Sequence, residues 1–265
     1  MSFWGNEDFG LAIARGLVPG AKAFAIPGRR DGISAVGLAD ITQIPSTAAP
    51  FVVPNPGGQQ LEILSASSQD TAAGTGIQTL ELEFLDSAGA EQAETITMNG
   101  TSPVATVSTD IDKVQWMHGV TVGTNSVGLG NITLRSTAAG TTFEYIAAGG
   151  NQSLSARYTV PTGKTGYILG WQASAVTKVI DFRLRANVDR FTRELHDAFN
   201  FQDAMILETA PSGFIPFSIP LKCPAGAEIK VSGVSAAAGG DAGCQFDVLL
   251  LDDDVKINSR SMRLR

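Results

Sequence analysis

TVPTGKTGYILGW, residues Thr159–Trp171, sets two fold classes against each other. Gly163-Lys164-Thr165 has the ending of the phosphate-binding loop of nucleotide hydrolases, which would make the chain α/β. That loop needs a first glycine five positions before the second, so that successive backbone N–H groups wrap the phosphates. Counting back from Gly163 reaches Tyr158, whose ring would fill the space a phosphate needs. The loop must also open a helix whose N-terminus faces the anion. Here Gly166, Tyr167, Ile168, Leu169, Gly170 and Trp171 follow, and they read as a strand. Spacing and context both fail. The remaining reading is a hairpin: a strand ending at Pro161, a Thr-Gly-Lys-Thr-Gly turn and a second strand. Leu169 and Trp171, one strand period apart, are then expected to face a core shared with Leu80, Leu82 and Phe84.

Working outward, the period becomes 2 from Gln59, and "QLEILSAS" (60–67) alternates Leu61 and Ile63 with Glu62 and Leu64. "IQTLELEFLD" puts Leu80, Leu82 and Phe84 on one face and Thr79, Glu81 and Glu83 on the other, the pattern of a half-buried antiparallel strand. "DSAG" turns the chain into "EQAETITMNG", and Asn99-Gly100 suits the positive φ of a tight turn. "KVQWMHGVTV", "GNITLRS", "TTFEYIAAG", "QSLSARYTV", "VIDFRLRANV", "AEIKVSGVS" and "CQFDVLLLDD" continue the series. "DRFTRELHDAFNFQDA" has partly helical spacing, but strands on both sides favour a strand or long ribbon. Many short strands punctuated by 29 Gly and 12 Pro indicate an all-β chain, one or two antiparallel β-sandwich (jelly-roll-like) domains. The expected division is an extended N-terminal arm over 1–58, a sandwich over 59–140, a second sandwich or second half over 141–254, and a basic tail over 255–265.

The arm stands apart because "LVPGAKAFAIPGRRDGISAVGL" and "PSTAAPFVVPNPGG" are rich in Gly, Pro and Ala. Its large apolar groups, Phe3, Trp4, Phe9, Phe24 and Phe51 among them, are too many for a solvated linker. They are expected to bury on the body or on a neighbouring subunit. Arg29-Arg30 and the tail's Arg260, Arg263 and Arg265 are the basic groups expected to reach an acidic neighbour. Phe3, Trp4, Phe9, Phe24, Arg29, Arg30, Arg260, Arg263 and Arg265 are therefore the candidate inter-subunit contacts.

Composition narrows the chemistry. Net charge is −7 and only 17% of residues are charged, which argues against a nucleic-acid partner. No apolar run reaches the roughly 18 residues of a membrane span, and "MSFWGNEDFG" has acids where a signal peptide has a basic head. A soluble product made in the cytoplasm is expected. Cys223 and Cys244 have no zinc-like spacing and read as small buried thiols. The two histidines, His118 and His196, lie near no nucleophile motif. Asp110-x-Asp112 and Asp252-Asp253-Asp254 lack the glycine and distal acid of a calcium loop. If the second acidic run binds anything, the Arg260–Arg265 tail of another copy is the expected partner. Three Trp and three Tyr make a poor sugar platform. No catalytic residue, metal site, cofactor or small-molecule substrate is expected.

Several motifs, taken together, carry a resemblance. Asp70–Gly76 (DTAAGTG) between two strands, Leu85-Asp86, Glu94–Thr101 (ETITMNGT), the strand Asn131–Arg135 and "YTVPTGKTGYILGW" resemble a recurrent virion structural protein of tailed bacteriophages, over residues 59 to about 252. The resemblance implies a non-enzymatic virion component, assembled in the host cytoplasm. Its partners would be other copies of itself, as a trimer or other cyclic oligomer, and the major capsid protein or neighbouring tail proteins. A capsid decoration or cement role is the leading expectation. A tail, neck or fibre-anchoring component is the alternative within that class, and a carbohydrate-binding adhesion module the alternative outside it.

Overall fold

Asp70, in the DTAAGTG segment, is fully buried and organises the first of two sandwiches. Its carboxylate accepts N–H groups from Ile77 at 2.9 Å, Leu129 at 3.0 Å and Gly130 at 2.8 Å, and the Ser65 hydroxyl. One side chain thereby ties three loops together, so the motif is a clasp. Around it run β3 (Leu61–Ser65), β4 (Ile77–Asp86), β5 (Glu91–Thr97), β6 (Val104–Ala105), β7 (Ile111–Val122), β8 (Ile132–Ser136) and β9 (Thr142–Ile146). They form two antiparallel sheets, ordered β6-β3-β8-β9 and β5-β4-β7. Leu61, Ile63, Leu80, Leu82, Phe84, Met117, Ile132 and Leu134 share the core that their alternation anticipates. The computed structural model describes residues 9–45, 51, 53–189, 191–208 and 212–255.

The second sandwich is built from both sides of the first. β1 (Ala21–Ile33), β2 (Ala39–Asp40), β10 (Arg157–Thr159), β11 (Lys164–Ala175), β12 (Ile180–Val188), β13 (Leu195–Leu207), β14 (Ser212–Cys223), β15 (Glu228–Ser235) and β16 (Gly240–Asp252) make it up. One sheet is ordered β1-β16-β11-β14; the other is β10-β15-β12-β13, with β2 also on β15. β2 pairs Asp40 with Ser232, and β10 pairs Arg157 with Lys230, so both lie along the same side of β15 in one direction. They are one strand cut in two by the first sandwich. Ile41 N–H donates to Val231, Ala156 N–H to Ile41 and Val231 N–H to Ala156, which closes the cut. The chain leaves at Thr42 and returns at Ser155, and these two form an isolated bridge.

Several expectations need correction. Residues 1–58 are not an extended arm throughout. Ala21–Ile33 is an ordinary ladder strand on β16, and Ile33, Ala39 and Ile41 are core. Its Pro27 is tolerated because β1 is a sheet edge. Gly28 is required because a Cβ there would lie 2.5 Å from that of Ala156, at the point where the interrupted strand resumes. A short helix, α1 (Phe9–Ala14), precedes it, with Ala12 and Ile13 buried. The 140/141 boundary also shifts, since β9 pairs with β8 and belongs to the first sandwich.

Pro161–Lys164 is a turn, with Gly163 at φ 75°, but it does not make a hairpin. β10 lies in one sheet and β11 in the other, so the turn carries the chain across the sandwich. Trp171 is fully buried as expected, whereas Leu169 is 37% exposed. A register shift between Ile168 and Gly170 inverts the alternation there. The Trp171 core is also separate from that of Leu80, Leu82 and Phe84. The ambiguous segment is a strand, β13. Both cysteines are buried and unpaired, and burial pushes the Cys223 thiol up to about 11.

Candidate functional site

The outer edge of the second sandwich is its least finished part. β13 and β14, 13 and 12 residues long, are consecutive strands that end the two facing sheets. Among the described residues each has a ladder partner on one side only, β12 for the first and β11 for the second. Gln202 and Cys223 are the only buried residues on the pair. Leu195 (47%), Phe201 (48%), Ile206 (70%), Phe214 (59%) and Ile219 (82%) are exposed, while Met205, Ile215 and Phe217 are half-buried on the core. Trp171 Nε1–H donates to Asp203 at 2.8 Å, pinning β13 across the sandwich. Asp189 accepts the N–H groups of Phe191 and Thr192, each at 2.7 Å, which holds its carboxyl below the ordinary range and shapes the turn before β13. That turn presents Phe191, 90% exposed. Such an edge offers free backbone groups beside large apolar side chains.

A second feature lies where the sandwiches meet. A cavity of about 470 Å³ is lined by Phe24 and Ile26 of β1, Glu83 and Glu91, Gln115 and Trp116 of β7, and Tyr158 of β10. Phe24 packs edge-on against Tyr158, ring centroids 5.2 Å apart. The β4–β7 register sets Glu81 opposite His118 and Glu83 opposite Trp116. The His118 and Trp116 rings stack at 4.2 Å, and His118 Nε2 lies 3.8 Å from Glu81. Burial raises the Glu83 carboxyl above its ordinary range, aided by the nearby Glu81 and Glu91 charges. Glu81, Glu83 and His118 are the metal-capable group among the described residues. Tyr158 OH, Trp116 Nε1 and His118 Nδ1 are enclosed without a hydrogen-bond partner among the described residues.

The rest of the junction is polar and tied by hydrogen bonds and ion pairs. Lys164 Nζ donates to Asp252 at 2.7 Å and lies 3.5 Å from Glu91, and Thr165 Oγ1 donates to Asp253 at 2.7 Å. The groups that imitate a nucleotide loop are thus bound to Asp252 and Asp253 at the acidic end of β16. Thr162 N–H donates to Gly89 at 2.8 Å, docking this turn onto the first sandwich. Gln115 brackets Thr159, accepting its N–H at 3.0 Å and donating to its carbonyl. Where β2 and β10 meet β15, buried Asp40 pairs with Arg185 at 2.8 Å and Lys230 at 3.0 Å, and Glu144 pairs with Arg157 at 3.2 Å.

The expected contact residues are dispersed. Arg29 is exposed and pairs with Asp31 at 3.1 Å. Arg30 is buried and donates to the Asp40 carbonyl at 3.3 Å, so it is an internal tie and not a surface contact. Phe24 serves the intramolecular cleft. Phe9 begins α1, its side chain lying outside the described residues, as do Phe3, Trp4, Arg260, Arg263 and Arg265. Sequence reading missed both surfaces. Alternation placed Glu81 and Glu83 on one face, but only cross-strand register adds His118 and Trp116.

No protein family matches the chain, and no curated protein does. Among solved structures it is similar to the VP2 subviral particle of infectious bursal disease virus, at 9% identity and TM-score 0.21, over 87% of this chain and 72% of that one. The Gx strain of that virus gives 9% identity and TM-score 0.21, over 87% and 70%. T=1 particles derived from infectious bursal virus give 12% and 0.17, over 89% and 74%. A likeness this distant shows neither family nor function.

Proposed function

We propose that this chain is a non-enzymatic structural protein of a virion, that of a tailed bacteriophage, working as a self-associating subunit. The β13–β14 edge carries the reading. Two adjacent strand edges with Leu195, Phe201, Ile206, Phe214 and Ile219 exposed form a surface that a second copy can complete by strand pairing and apolar burial. The strand order supports it. With β2 and β10 counted as one interrupted strand, the second sandwich has eight strands in two facing sheets, which we read as a jelly roll, an architecture common in capsid domains. Within the virion, we assign a capsid decoration or cement role, with a tail, neck or fibre-anchoring position as the alternative. A glycan-binding module is the weaker reading, because Trp171 is fully buried and Trp116 is stacked on His118.

The test combines Ile206→Asp, Phe214→Asp and Ile219→Asp in one variant. The parent is expected to sediment as a concentration-dependent oligomer and the variant as a monomer with an unchanged circular dichroism spectrum. A parent that stays monomeric and binds no particle, or a variant that still associates, overturns the reading. Copy number in purified particles separates the two positions: hundreds of copies indicate the capsid surface, a single ring's worth the neck or tail.

A further inference from the structure

We propose that Glu81, Glu83 and His118 form a binding site for a divalent transition-metal ion of the zinc class. All three project from the same face of the β4–β7 pair, and one ligand atom from each lies within 4.8 Å of the other two. Ligand atoms around a four-coordinate zinc, with bonds of about 2.0–2.2 Å, sit about 3.3–3.6 Å apart. The His118–Glu81 approach of 3.8 Å is close to that. His118 itself is held in place by the stacked Trp116 ring.

Charge makes the site demanding of a cation. Lys22, whose charge reaches Glu83, and Lys164 both pair with Glu91. Among the described residues neither Glu81 nor Glu83 has a lysine or arginine partner, which leaves two carboxylates facing one imidazole. A second, independent observation points the same way. Tyr158, only 5% exposed, borders the same cavity as Glu83 and Trp116, and its hydroxyl has no hydrogen-bond partner among the described residues. An ion held through Glu83 would bring its waters to that cavity. One imidazole and two carboxylates suit zinc and its first-row neighbours, whereas calcium and magnesium call for a larger set of oxygens.

The experiment titrates zinc chloride into chelator-treated full-length protein by calorimetry, and follows tryptophan quenching by cobalt(II) in parallel. The expected result is saturable one-to-one binding, with a melting temperature that climbs with the logarithm of zinc concentration. Glu81→Gln/Glu83→Gln and His118→Ala should each weaken binding by at least about tenfold, the loss seen even for groups that merely orient ligands. Glu91→Gln, which leaves the three ligands intact, should still bind, and circular dichroism should show every variant folded. Absence of saturable binding at millimolar zinc overturns the proposal. So does zinc binding that is unchanged in the ligand variants, since the ion is then held elsewhere.

Discussion

The two sandwiches obey the same packing rules and differ in how the chain reaches them. The first is one continuous run, β3 to β9, with its core contributed between Leu61 and Ile146. The second collects core residues from Ile33 to Leu250, and one of its strands is divided around the whole of the other sandwich. A continuous unit closes on itself with short loops. A divided unit depends on a distant strand arriving, which carries a larger loop-closure entropy. It also ends in two long edges with large exposed apolar side chains, whereas β7, the long edge of the first sandwich, is bonded at Met117, His118 and Gly119 to residues 151–153.

Truncation should break this comparison most severely. Deleting residues 1–50 removes β1 from β16, together with β2, Ile33 and Ile41. The truncated chain is expected to lose cooperative unfolding of the second sandwich while a fragment spanning 59–151 still melts cooperatively. Calorimetry of the two pieces checks this, and a truncated chain with the parent's full transition would contradict it.

Point changes sharpen it. Trp171→Ala and Phe84→Ala, each at a nearly solvent-free side chain, should cost about 3–5 kcal/mol apiece in chemical denaturation. Each loss should fall on its own sandwich, because the two cores are separate clusters. Asp40→Ala should be of similar size, about 3–5 kcal/mol, since it leaves Arg185 and Lys230 without their buried carboxylate. Its effect should appear as an early loss of the second sandwich in hydrogen exchange.

The junction is expected to respond more mildly. Lys164→Ala should cost about 0.2–1 kcal/mol, because the pair with Asp252 is partly solvated. Hydrogen bonding to Asp252 raises the Lys164 pKa above the ordinary lysine value. Its contribution is therefore complete below that ordinary value and disappears as pH rises through the raised one. The parent should lose this increment at alkaline pH and the variant should not. Smallest of all, Leu169→Ser should change stability by less than about 0.5 kcal/mol, because the bulge turns Leu169 outward. A loss near that of Trp171→Ala would restore plain alternation through β11.

Much of the first sandwich was legible because local pattern and final burial agree. Leu80, Leu82 and Phe84 alternate in the chain and are buried, and "DTAAGTG" announces a tight loop. β1 was misread because an edge strand tolerates Ala, Gly and Pro, so "AKAFAIPGRRDGI" carries no strong alternation. The cleft was hidden for a different reason. Glu81 and His118 are 37 positions apart in the chain, and only the β4–β7 register makes them neighbours.

By itself the sequence determined most of the strands from Gln59 onward, the failure of the nucleotide loop and the large apolar content that some surface must cover. These follow from side-chain period, ring size at Tyr158 and composition, all of which are local. Tertiary structure alone decided that Gly163 opens an arch between sheets, that Lys164 answers Asp252, and that β2 and β10 are one strand. Those outcomes depend on pairing between residues far apart in the chain. Pairing is settled by the joint burial of both partners, which no single segment encodes.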